Sequence, residues 1–102
     1  MEKNQNDKQQ VTPEQQDQIL FMMLVQQHQH IALMGLGEME NPASGKKKRD
    51  LASAKYAIDT LAMLEKYTAG NISKELVNFL TEMLGRLRLK YVNAKKNGDS
   101  GQ

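Results

Sequence analysis

Two histidines, His28 and His30, and two glutamates, Glu38 and Glu40, are the residues of this chain whose types could hold a metal ion. Their spacing argues against it. On a helix, residues two apart are turned by about 200°, so the two imidazoles face opposite sides; ligands from one helix need spacings of three or four. Neither histidine has a carboxylate or another histidine four positions away. The expectation is one histidine near a packing seam and one in water, with no metal and no cofactor.

Nucleophilic chemistry fares no better. Ser44, Ser53 and Ser73 read as a turn residue, a helix-surface residue and a helix cap, and neither histidine has an acidic residue placed to orient it. The pair Gly35 and Gly37 ends a helix rather than opening one, the reverse of what a phosphate cradle needs. An enzyme is therefore not expected. One cluster remains: Lys46, Lys47, Lys48 and Arg49 are adjacent cations that could contact phosphate groups, with Lys95 and Lys96 brought near by the fold. The plainer reading is a solvated loop, because the chain lacks the broad basic face of a nucleic-acid binder. Its net charge is only +2; residues 1–18 carry two lysines against four carboxylates, and residues 71–102 six cations against three.

These groups must be positioned by helices. The chain has 102 residues, enough for one domain, and no cysteine, so neither disulfides nor thiolate chemistry are available. Thr12, Pro13 and Gln15 make a capping signal for a first helix expected over about 13–36. A loop containing Asn41, Pro42 and Gly45 follows, and Asp50 is placed to cap a second helix over 51–68. In it Ala54, Ala57, Ile58, Leu61, Leu64 and Thr68 recur at spacings of three and four. Gly70 closes that helix, and Ser73 caps a third over 74–96, where Ile72 and Val77 can form a hydrophobic staple. Its seam is Leu76, Leu80, Met83, Leu87 and Tyr91. The short link makes helices two and three an antiparallel hairpin, and the long first helix is expected to pack across it in an all-α, three-helix domain over 12–96. Residues 1–11 and 97–102 are too polar to bury surface and are expected to be disordered tails.

The run Ile19, Leu20, Phe21, Met22, Met23, Leu24 and Val25 is different in kind. It covers almost two helical turns, so its side chains point in every direction, while two neighbouring helices hide a stripe a little over 100° wide. If about three of the seven stay wet, the burial forgone is on the order of 5 to 9 kcal/mol. This run is expected to be a self-association surface, with a dimer the first expectation. An adaptable surface built on Met22, Met23, Met34 and Met63 for another protein is the alternative. Seven apolar residues fall far short of the roughly 20 of a membrane-crossing helix, and the polar start of the chain offers no export signal; the expected location is cytoplasmic.

The spaced residues Asn41-Pro42, Ser44-Gly45, Asp50-Leu51, Ala54-Lys55, Ile58-Asp59, Leu61, Leu64, Gly70-Asn71, Leu87-Arg88 and Tyr91-Val92 resemble a bacterial family known only as the domain of unknown function numbered eighteen forty-four. The likeness runs from about Leu20 to Val92. It departs from the family pattern at Ser44, where threonine is usual, and around Tyr67 to Asn71, where Lys-Thr-Gly-Asn is more typical; neither departure bears on the helices. The resemblance implies a small helical cytoplasmic protein and carries over no activity, substrate or catalytic residue. Its matched positions also suggest an ion pair between Asp59 and Arg88 that would set the register of helices two and three.

Overall fold

The computed structural model describes residues 11–101. The tail expected over residues 1–11 lies outside them except for Val11, as does Gln102. Three helices follow in order: α1 (Pro13–Gly35), α2 (Leu51–Thr68) and α3 (Lys74–Gly101). The described residues form no strand, only an isolated bridge between Asn41 and Lys46. The architecture is all-α, as its periodicities require.

Local chemistry sets most of the boundaries. At the start of α1 the Thr12 hydroxyl accepts the Gln15 N–H at 3.0 Å while the Gln15 side chain accepts the Thr12 N–H at 2.9 Å, a reciprocal capping box. Asp50 opens α2 by accepting the Ser53 N–H at 3.2 Å and the Ser53 hydroxyl at 2.8 Å. Those bonds, the hydroxyl's foremost, hold the Asp50 carboxyl below its ordinary pKa. Ser73 caps α3 through the Leu76 N–H at 3.2 Å. Where the sequence places a tail from residue 97, α3 instead runs on to Gly101. Asn97, Gly98 and Asp99 are weak helix formers, but none breaks a helix as proline would, so the preceding turns carry it forward.

The core lies along α2. Val25, Ala32 and Leu36 from the first helix and its end meet Ala54, Ala57, Ile58 and Leu61, and α3 adds Leu80, Met83, Leu84, Leu87 and Ala94. The helices run up, down and up, with α1 packed mainly on α2 and touching α3 only slightly. The tightest point is Gly35, where a Cβ would come within 2.7 Å of the Ala54 nitrogen and of the Asp50 carbonyl oxygen. Small residues here let the two backbones approach, and the Asp50 N–H donates to the Gly35 carbonyl at 2.8 Å.

The result is long and thin, 64 × 33 × 15 Å, with a radius of gyration of 17.4 Å against about 13 Å for a compact chain of this length. An elongated shape exposes more of each helix than a closed bundle does. That consequence falls mainly on the first half of α1, where no residue before Val25 is buried.

Candidate functional site

The heptad-like spacing of Val25, Ala32 and Leu36 fixes which side of α1 faces its own chain. In the first half of α1 much of what is rotated away from that stripe is left to solvent, whereas Ile31, Leu33 and Met34 further on are half-buried. Leu20 is 55% exposed and Met23 58%, with Ile19 and Leu24 also exposed and Phe21 and Met22 half-buried. Val25, by contrast, is 0% exposed and belongs to the core, so it is removed from the expected self-association surface. In an unbroken apolar run no polar residue marks the outside; only the residues seven and eleven positions on reveal that Val25 points inward.

The exposed side chains form two adjoining features. Leu20, Met23 and Leu24 line a shallow depression with Gln26, Gln27 and His30. Around the helix, Ile19 and Met22 join Val11, Leu76 and Phe79 in an open groove of about 560 Å³ between the first halves of α1 and α3. From Gln18 to Gly37 there is not one Asp, Glu, Lys or Arg in 20 consecutive residues, although a quarter of the whole chain is charged. The face is thus apolar at its centre and amide-rich toward its end.

The other sequence candidates fall elsewhere. His28 Nδ1 lies 3.0 Å from the Leu24 carbonyl oxygen, and His30 is exposed at the edge of the depression. Glu38 is drawn away from both by an ion pair with Lys90 at 3.0 Å, which ties the end of α1 to α3. Among the described residues no three His, Cys, Asp or Glu side chains are grouped to hold a metal. Ser44 accepts the Lys46 N–H at 3.3 Å within its turn, and Asn41 Oδ1 accepts the Ala43 N–H at 2.8 Å.

Lys46, Lys47, Lys48 and Arg49 are all exposed. Arg49 nonetheless donates to the Ala94 carbonyl at 3.4 Å, so the loop does reach the basic end of α3 next to Lys95. Asp59 does not pair with Arg88. It accepts from Lys55 at 2.7 Å on its own helix, which raises the Lys55 pKa, while Arg88 is exposed beside the buried Leu87. A partner four residues away on the same face is always within reach. A cross-helix pair needs both side chains at the seam, and on α3 the seam is held by Leu80, Met83, Leu84 and Leu87.

Three tertiary polar contacts had no local signal in the sequence: Glu38 with Lys90, Arg49 with Ala94, and the Thr81 hydroxyl donating to Glu65 at 2.7 Å. The first two tie the connection between α1 and α2 to α3, and the third joins α2 to α3. Among the described residues no helix is long and apolar enough to cross a membrane.

A family model described as Domain of unknown function (DUF1844) matches residues 18–93, close to the stretch from Leu20 to Val92 over which the resemblance runs. No curated protein and no solved structure matches the chain.

Proposed function

The chain belongs to the DUF1844 family, and we propose that it is a non-enzymatic helical module that associates with a second copy of itself through the exposed face of α1. The single observation that carries this reading is the wet, uncharged centre of that face. Ile19, Leu20, Met23 and Leu24 together leave about 400 Å² in water, worth on the order of 10 kcal/mol of burial at roughly 25 cal/mol per Å². Such a sum is comparable with the whole stability of a small domain, about 5–15 kcal/mol. A surface without charge meets its own copy without repulsion, so a second copy is the economical cover.

The non-enzymatic part is supported by how the polar side chains are spent. Ser44, Ser53 and Ser73 each hold a turn or a helix start, and the histidines share no carboxylate. A second reading, weak binding of nucleic acid, is favoured by one contact: Arg49 brings the lysine loop to the end of α3 at Ala94. Retention of RNA or DNA that falls steeply as salt rises would support it, and no retention at low salt would remove it.

Association linked to folding makes the melting temperature depend on protein concentration. The expected result is a melting temperature that climbs with each tenfold increase in concentration. One that stays constant across the series would contradict self-association.

A further inference from the structure

From Met83 to Gly98 the sequence of α3 has five cations and no carboxylate. Lys90 is held by Glu38, whereas Arg86, Arg88 and Lys95 are exposed and make no ion pair among the described residues. Among these cations stand two aliphatic side chains, Leu89 at 63% exposure and Val92 at 56%, as wet as Leu20 and Met23 on α1. Three positions apart, they share one face of α3, on the side opposite the buried seam of Leu80, Met83, Leu84 and Leu87. At about 100° per residue, Arg88 and Lys95 lie about 80° to one side of the line through Leu89 and Val92, and Arg86 about 90° to the other.

An apolar ridge edged on both sides by long cationic side chains matches a layered partner, greasy beneath and negative at its surface. Leu89 and Val92 leave about 220 Å² of apolar surface for the lower layer. Phosphates of a nucleic acid would meet the three cations but gain nothing from the two aliphatics. The ridge is also convex: the clefts described on this molecule are lined by α1, the connection to α2, the end of α2 and the first turns of α3. A fluid bilayer deforms around a ridge and needs no groove to receive it. The nearest acids do not cancel the charge, since Asp59 on α2 is neutralised by Lys55 and Glu82 stands alone at the start of the stretch. Arg49, reaching the Ala94 carbonyl, brings the cationic loop to the same end of the helix and raises the positive potential there.

We propose that the second half of α3 docks on an anionic lipid bilayer, lying along it with Leu89 and Val92 among the upper acyl chains and Arg86, Arg88 and Lys95 at the headgroups. The contact is peripheral, and it is independent of association through α1, which uses a different helix. Each cation near such a surface strengthens binding roughly fivefold, so the three together contribute on the order of a hundredfold.

Co-sedimentation of the full chain with vesicles tests this. The expected result is binding to phosphatidylglycerol–phosphatidylcholine vesicles that weakens as salt rises, and none to phosphatidylcholine alone. Leu89→Gln with Val92→Gln should lower the affinity at least about a hundredfold. Arg86→Gln, Arg88→Gln and Lys95→Gln together should do the same, with circular dichroism unchanged in both variants because every altered side chain is exposed. The chain has no cysteine, so an environment-sensitive fluorophore on Val92→Cys should shift to the blue with anionic vesicles, while one on Met23→Cys should not. No binding of the unaltered chain to anionic vesicles would overturn the proposal. So would full binding by the Leu89 and Val92 variant, which would leave charge alone and favour nucleic acid, or a shift at residue 23 without one at residue 92, which would move the contact to α1. A dimeric or monomeric mass in solution bears on association through α1 and leaves this test unaffected.

Discussion

Replacing Met23 with glutamate separates association from folding, because the side chain is 58% exposed and lies on the face of α1 turned away from its own core. The wet part of the side chain amounts to about 130 Å², or about 3 kcal/mol of burial at roughly 25 cal/mol per Å². A two-fold interface contains the residue twice, so the substitution removes about 6 kcal/mol from the dimer, equivalent to a rise in Kd of about ten-thousandfold. The folded protomer should hardly notice. Glutamate and methionine have similar helix propensity, and surface exchanges away from special features stay within about 0.5 kcal/mol. Sedimentation velocity across a dilution series, with circular dichroism on the same samples, reads both quantities. The expected outcome is a monomer at every concentration that keeps its helical signal. A variant that sediments as wild type would refute the assignment of the face, and one that loses helix in step with association would show that Met23 serves the fold.

Gly35→Ala tests the closest approach in the molecule: a methyl group 2.7 Å from the Ala54 nitrogen and the Asp50 carbonyl oxygen forces α1 and α2 apart. The expected loss is about 1–3 kcal/mol in chemical denaturation, and an unchanged midpoint would mean the helices slide freely there. Asp50 gives a pH signature. Its folded pKa lies below 3.8, so the stability it adds is complete above that value and is lost as pH falls through the lower, folded one. Asp50→Ala should therefore flatten the acid limb of a melting-temperature profile, and identical acid limbs would count against the cap. A double-mutant cycle on Asp59 and Arg88 should return no coupling, whereas one on Asp59 and Lys55 reads a local helical pair. Exchanging Lys46, Lys47 and Lys48 together for glutamine should leave the dimer unchanged, since none of them lies on the α1 face; dissociation would put the loop in the interface.

What the sequence made legible was whatever is decided within a few residues. Thr12, Asp50 and Ser73 cap helices through bonds to residues three positions on, and the period of α2 and α3 names the inward residues directly. Gly70, with a φ of 85°, ends its hairpin where a left-handed residue is needed. The phase of the apolar run was not legible, because seven consecutive hydrophobic residues carry no polar marker of the outside; packing of Ala32 and Leu36 on α2 turned Val25 inward. Cross-helix pairing was also hidden. Asp59 and Arg88 have opposite charges, yet nothing local distinguishes that combination from Asp59 with Lys55, and proximity decides for the latter. The role of Gly35 was half visible: its place near the helix end could be read, but its contact with Ala54 exists only once α1 has folded back onto α2.

The mass of the unmodified chain in solution bears most directly on the whole account. Sedimentation equilibrium at tens of micromolar should give twice the 11.6 kDa of one copy and fall toward that single-copy value on dilution. A mass of 11.6 kDa throughout would mean that Leu20 and Met23 remain in water in the functional state, contrary to the reading of α1 as an interface.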